Sequence, residues 1–314
     1  MLHKPLGRSG LTVSPFVFGG NVLGWTADRA TSFAMLDRLV EAGVTSIDTA
    51  DSYSYWGEGM KGGESEAMIG DWLARRKRRD DVVIYTKVAK LSWRKGLRRD
   101  NILAAIDESL TRLRTDYIDL YFAHADDADV PQEEVLETFE MLRVQGKIRA
   151  VGASNFAPDR LAAALALAKQ MNVKGIEVIQ PEYSLSTRES FEKELLPLVK
   201  SQELGAVTFF TLAAGFLSGK YRTQADFAGI PRARHAAKYL DARGLRILQA
   251  LAEIADGVGA PMAQVATAWA MAREGVSAPI VSASNMDQLD TLLGAIDLQL
   301  SDEAMASLEA ASDG

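Results

Sequence analysis

The chain has 314 residues, 47% of them hydrophobic, with a formal net charge of −7 and a sequence pI near 5.2. That length and evenness predict one large domain over residues 1–314 with a sizeable core. The sequence has no cysteine and only three scattered histidines, which excludes disulfides and thiolate chemistry and leaves no metal site expected.

No apolar run approaches the roughly 20 residues of a membrane span, and the N-terminus lacks a signal-peptide pattern. A cytoplasmic protein with no membrane partner is therefore expected. The acidic balance argues against nucleic acid, because neutralising phosphates requires clustered Lys and Arg. The one basic stretch, Arg75-Arg76-Lys77-Arg78-Arg79, reads as a solvated helix C-terminus favoured by the helix dipole.

From the N-terminus, Gly7-Arg8-Ser9-Gly10 predicts a hairpin turn. Apolar strand-like runs follow at 15–20, 44–48, 82–87, 117–122, 148–153, 176–180, 205–210 and 278–282. Amphipathic segments alternate with them at about 30–42, 64–76, 100–114, 133–145, 158–170, 189–203, 261–273 and 286–295, with an extra one near 241–257. Asp100, Pro131 and Pro158-Asp159 supply helix start signals, and Gly43, Gly146, Gly175 and Gly205 fall where helices should stop. Strands alternating with helices in this number predict a (β/α)8 TIM barrel with an N-terminal β-hairpin. An open doubly wound sheet fits less well, since no G-x-G-x-x-G follows an early strand. Gly215 to Tyr239 is too long and polar for a simple connection and predicts a long loop after strand 7 on the ligand-binding face.

Three of the strands end in groups that can carry a proton. The run Val44 to Asp48 delivers Asp48 and, just beyond it, Tyr53. The next two end in Lys87 and His124. In a parallel barrel the C-terminal strand ends gather on one face, where that fold keeps its active site, so these four should converge.

Asp48-Thr49-Ala50-x-x-Tyr53 with Lys87 and His124 resembles the catalytic tetrad of the aldo-keto reductases. Gly152-Ala153-Ser154-Asn155 is similar to that family's Gly-x-Ser-Asn, and Gln180-Pro181-Glu182-Tyr183-Ser184 to its Gln-x-x-Tyr segment. Leu212 to Tyr221 resembles the pyrophosphate-covering loop of the branch that includes many bacterial reductases and potassium-channel β subunits. The resemblance runs from about residue 3 to 300. It implies a nicotinamide-dependent oxidoreductase that reduces aldehydes or ketones.

Hydride delivery to a carbonyl carbon requires a proton for the oxygen, hence a general acid beside an electrostatic stabiliser. Tyr53 is the expected acid. A free phenol titrates near about 10, and the Lys87 ammonium should lower that by favouring phenolate. Asp48 would hold the lysine, and His124 would orient the carbonyl.

The resemblance also implies the cofactor contacts. Ser154, Asn155 and Gln180 would bind the nicotinamide carboxamide, and Phe209 would stack on the ring where many relatives have Tyr or Trp. Phe210-Thr211 replaces a common Ser-Pro, and core packing is the better expectation for Phe210. Backbone around Leu212 and Gly215, the Ser218 hydroxyl and the Lys220 ammonium would meet the phosphates. Ser284 and Gln288 lie in the segment that grips the adenosine end. No cation occurs between Val281 and Leu292, so a 2′-phosphate would draw on Arg232 or Arg234 of the long loop. NADPH is the expected cofactor, with NADH possible.

The substrate is expected to be a small carbonyl compound or sugar, with Trp25, Tyr55, Trp56 and Trp93 forming an aromatic mouth. Monomer and homo-oligomer are both compatible with the sequence. Two competing functions are a nucleotide-binding regulatory subunit with slow redox chemistry and an NAD-linked sugar or alcohol dehydrogenase.

Overall fold

Two periodicities in the sequence build the architecture, and the computed structural model describes residues 3–227 and 235–313. The hairpin strands β1 (Lys4–Pro5) and β2 (Thr12–Val13) pair antiparallel. The barrel strands are β3 (Val17–Gly19), β4 (Ser46–Asp48), β5 (Val83–Val88), β8 (Ile118–Ala123), β9 (Ile148–Ser154), β10 (Val178–Gln180), β11 (Gly205–Thr208) and β12 (Ala278–Val281). They close in that order, all parallel, with β12 pairing back onto β3. Every strand expected from the sequence is present.

Period-two alternation sorts side chains between two cores. In β8, Leu120 and Phe122 fill the barrel interior, whereas Tyr121 and Ala123 join the outer layer under the helices. Leu6, Leu11 and Val13 of the hairpin enter the interior cluster as well. They plug the N-terminal end, where the Arg8 amide donates to the Glu203 carbonyl at 2.9 Å. The opposite end is left to the site.

The helices around the barrel are α1 (Arg29–Glu41), α2 (Glu64–Arg76), α3 (Arg99–Leu113), α4 (Gln132–Val144), α5 (Pro158–Gln170), α6 (Leu196–Ser201), α7 (Ala242–Val258), α8 (Met262–Ala272), α9 (Met286–Gly294) and α10 (Asp302–Ser312). Asp28, Asp241, Asn285 and Ser301 cap their helices by accepting a backbone N–H. None of the helices among the described residues is long and apolar enough to cross a membrane.

Some expectations are corrected. Asp100 lies within the first turn of α3, complementing the helix dipole rather than capping the end. Gly205 does not stop a helix but opens β11, and it must lack a side chain because a Cβ would meet Leu6 of the hairpin. A second hairpin, β6 (Lys90–Leu91) and β7 (Arg94–Lys95), and the terminal helix α10 were not expected. The basic stretch at the end of α2 is tied to acidic neighbours: Arg75 pairs with Asp37, Arg76 with Asp81 and Arg79 with Asp119.

Gly70 in α2 faces the backbone of α3, and a Cβ there would collide with the Arg112 carbonyl. Alanine gains about 1 kcal/mol of helix propensity over glycine, but forcing two backbones apart costs about 1–3 kcal/mol. Gly70→Ala is therefore expected to lower the Tm. Unfolding calorimetry giving an unchanged or higher Tm would contradict this contact.

Candidate active site

Parallel pairing places consecutive functional groups side by side at one barrel mouth. Asp48 closes β4, Lys87 is the penultimate residue of β5, His124 follows β8, Ser154 closes β9, Gln180 closes β10 and Phe209 follows β11. The ladder continues past the strand ends and fixes their positions. Thr49 N donates to Tyr85 O at 2.8 Å, Asp51 N to Lys87 O at 3.2 Å and His124 N to Val88 O at 2.8 Å.

The Lys87 ammonium is fully buried and spends its three protons on three acceptors. These are Asp48 Oδ2 at 2.7 Å, Thr49 O at 2.7 Å and the Tyr53 hydroxyl at 3.2 Å. Asp48 Oδ1 accepts from Gln180 Nε2 at 2.9 Å. Ser154 Oγ donates to Gln180 O, and Asn155 Nδ2 donates to both His124 O and Ser154 Oγ. Five strand ends are thus joined in one hydrogen-bonded chain. Tyr53 lies against the His124 ring at 5.9 Å between centroids and against Trp56 at 5.5 Å.

Burial works against charge on Lys87, but Asp48 and Tyr53 outweigh it and raise its pKa, so it stays an ammonium. Burial pushes the Asp48 carboxyl up, offset in part by Lys87 and by the Lys87 and Gln180 hydrogen bonds. Burial also pushes the Tyr53 phenol up, and the pull of Lys87 does not overcome it. This corrects the expectation of a lowered phenol: the ammonium acts in the expected direction, while burial sets the sign. Burial and the Lys87 and Lys90 charges hold His124 well below its ordinary value, so the imidazole is neutral.

The residues expected at the carboxamide have unequal freedom. Gln180 uses its amino group on Asp48 and Asn155 uses both N–H bonds internally, which leaves their amide oxygens as acceptors. Phe209 is half-buried, and Phe210 turns out of the core with a left-handed φ of 58° and 41% exposure, its ring 5.2 Å from that of Phe209. The core-packing expectation for Phe210 is therefore corrected. A cavity of about 370 Å³ runs from Asn155, Gln180 and Phe209 to Glu182 and Lys238.

Leu212 is half-buried, and the Leu212 carbonyl accepts from Gly215 N at 2.8 Å in a tight turn. Ser218 Oγ donates to Gly215 O, and Lys220 lies across Gly215, where a Cβ would come within 3.1 Å of its Nζ. Ser284 N donates to Gln288 Oε1 and Gln288 N to Asn285 Oδ1, a reciprocal cap on α9. Gln288 thus spends one side-chain atom on its own helix. Arg232 and Arg234 lie outside the described residues.

Sequence reading missed two contributors to this geometry. Glu64 accepts from the amides of Ser54, Lys61 and Gly62, and so gathers the loop that carries Tyr53. Only its place in the first turn of α2 hinted at this. Thr49 acts through its carbonyl, which side-chain motifs cannot reveal.

The sequence profile of the Aldo/keto reductase family matches residues 15–313. The chain belongs to this family. Over 317 residues it is 33% identical to "Uncharacterized oxidoreductase YrpG" of Bacillus subtilis (strain 168), covering 98% of this chain and 95% of that one. It is also 33% identical to "Probable voltage-gated potassium channel subunit beta" of Oryza sativa subsp. japonica, covering 99% and 96%. It is 31% identical to "Aldo-keto reductase YhdN" of B. subtilis, covering 90% and 84%. Aldo/keto reductase membership and the oxidoreductase relatives make the protein an oxidoreductase.

The buried pair makes a stability prediction for this aldo/keto reductase. Lys87→Met leaves Asp48 buried beside no cation and should cost about 3–5 kcal/mol. The double variant Asp48→Asn, Lys87→Met removes both charges and should cost less than the single one. Chemical denaturation showing equal or greater loss in the double variant would contradict this.

Proposed function

We propose that the protein reduces aldehydes or ketones to alcohols with a reduced nicotinamide dinucleotide, Tyr53 donating the proton. The observation that carries this reading is the Tyr53 hydroxyl held by the Lys87 ammonium at 3.2 Å beside the His124 ring, in surroundings whose burial favours the protonated phenol and the neutral imidazole. The cofactor supplies a hydride when bound. Residues at the mouth fit such a group: the amide oxygens of Gln180 and Asn155 suit a carboxamide amino group, Phe209 offers a ring face, and Lys220 offers a cation near the loop after β11. NADPH is favoured from the family, and NADH is the necessary comparison.

In this reading a substrate carbonyl oxygen accepts from Tyr53 and from the imidazole of His124. Negative charge growing on that oxygen strengthens both bonds and draws the phenolic proton across. The phenolate left on Tyr53 is then stabilised by Lys87, whose charge Asp48 secures. Thus Lys87 serves the developing state more than the resting one. Trp25, Tyr55 and Trp56 form edge-to-face pairs with ring centroids 5.5–5.7 Å apart, leading outward from Tyr53. An aromatic aldehyde or a sugar face suits that wall.

One observation favours a second reading, a nucleotide-sensing subunit: the 33% identity to the rice channel protein. The absence of a cation between Val281 and Leu292 likewise keeps an NAD-linked dehydrogenase in view.

Tyr53→Phe removes the proton source and leaves the cofactor contacts in place. It should bind NADPH as the parent does, by fluorescence titration, while kcat with an aromatic aldehyde falls about 10²–10⁴-fold. In the parent, kcat should be level from about pH 6 to 9, because His124 is already neutral there and the raised phenol is still protonated. Activity should fall only on the alkaline side, as the acid is lost. Wild-type kcat in the variant, or an acid-side fall with a midpoint near that of free histidine, would remove these roles.

A further inference from the structure

Asp51 stands two residues before Tyr53, on the same loop, yet belongs to a different cluster. It is 1% exposed, and no side chain among the described residues hydrogen-bonds its carboxylate oxygens, the adjacent Ser52 amide being the one backbone group that acts on it. Burying a carboxyl without partners is costly and demands a reason.

The surroundings supply one. Glu66 from α2, Arg112 from α3 and Arg94 from β7 act on Asp51, and the same three together with Asp51 act on Tyr121 from β8. Glu66 is fully buried and accepts from Thr86 Oγ1 at 2.5 Å and from Arg112 Nε at 2.7 Å. Arg112 Nη1 and Arg94 Nη2 both donate to Glu108, at 3.3 and 2.7 Å. Arg94 therefore spends one nitrogen on Glu108, while its buried Nε and Nη1 have no partner among the described residues. The Tyr121 hydroxyl has none either.

A guanidinium and a carboxyl with unspent hydrogen-bonding atoms thus share one cluster, the Arg94 side chain 17% and Asp51 1% exposed, each on an element at the barrel mouth. The two elements already touch from outside. Trp93, 63% exposed at the turn of the β6–β7 hairpin, donates from Nε1 to the carbonyl of Lys61, on the loop that carries Tyr53, at 3.3 Å. Arg94 is its immediate neighbour, and the Arg94 guanidinium lies over the Trp93 ring, 5.2 Å from its centroid.

We propose that Asp51 is a positioning residue whose carboxyl latches the β6–β7 hairpin, through Arg94, to the loop carrying Tyr53, and whose proton decides whether the latch is drawn. Burial first, and the Glu66 charge second, raise the Asp51 pKa to about 7 against the pull of Arg112, Arg94 and the Ser52 amide. Of the other facing groups, Tyr121 is pushed well above its ordinary value and remains a phenol, and Arg112 is raised and remains a cation. Below neutrality Asp51 is neutral and attracts Arg94 weakly. Above neutrality its carboxylate draws the free guanidinium edge in, and the hairpin with Trp93 closes on the mouth. The KM for a carbonyl substrate should then fall as pH rises through 7; the Asp51 carboxylate also acts on the Tyr53 phenol, but in the direction that keeps it protonated, so kcat should not fall with the same step.

The inference rests on the proposed reductase activity only for its KM readout. A second readout needs no turnover: Trp93 emission, taken as the difference between the parent and Trp93→Phe, recorded from pH 6 to 8 on the full chain. A step with its midpoint near 7 is expected, accompanied by about a threefold or larger fall in KM for an aromatic aldehyde. Asp51→Asn and Arg94→Met, each in the parent and Trp93→Phe backgrounds, should abolish the emission step and flatten the KM profile. If the parent shows no emission step, or if the step survives in Asp51→Asn, the latch is overturned. An emission step in a protein that turns over no carbonyl would instead sink the reductase reading and leave the latch standing.

Discussion

Burying an ammonium beside a carboxylate at the centre of the barrel mouth is the constraint around which the site is organised. An isolated charge at that depth would be neutralised or expelled. Lys87 is tolerated because three acceptors, one of them charged, take its protons, and because Asp48 is itself held by Gln180 from β10. The requirement reaches across the barrel. β4 must supply Asp48, β5 the lysine, β10 the amide, and the loop after β4 must bring Tyr53 within 3.2 Å. A one-residue slip in any strand would turn the group to the outer layer.

That arrangement also explains why the fold and the central group of residues could be read from the sequence. Strand ends in a parallel barrel share one face, so a hydrophobic run ending in Asp48, Lys87 or His124 carries both the local and the global information. Apolar alternation marked the strands closely, because both cores demand it. What escaped reading depends on three-dimensional context. The β6–β7 hairpin is two residues on each side and leaves no periodic trace. Gly205 looked like a helix stop, whereas the actual reason for glycine is the approach of Leu6 from the plug. The sign of the Tyr53 shift was misread because a sequence displays the neighbouring lysine but not the depth of burial. Phe210 was expected in the core because large apolar residues usually lie there, yet the left-handed turn at that position swings it outward.

The same loop that presents Tyr53 also carries Asp51 into a cluster of opposite character. On one side a buried cation and anion satisfy each other, and on the other three acids, Asp51, Glu66 and Glu108, and two arginines are incompletely matched. Rigidity at Lys87 suits a group that must be aimed at a reacting atom. Incomplete pairing around Arg94 suits an element that must move relative to it, since groups with unspent hydrogen bonds gain by rearranging. Glu64, by gathering three amides of the intervening loop, keeps the two sides mechanically connected.

The most direct test of the account is to mix the protein loaded with NADPH and an excess of free NADPH with an aromatic aldehyde, and follow nicotinamide absorbance over time. The account predicts continuous loss over many equivalents of cofactor, with the corresponding alcohol accumulating in equal amount. Loss of a single equivalent followed by a plateau would contradict it, because the buried Lys87–Asp48 pair would then be supporting a bound nucleotide rather than a working acid.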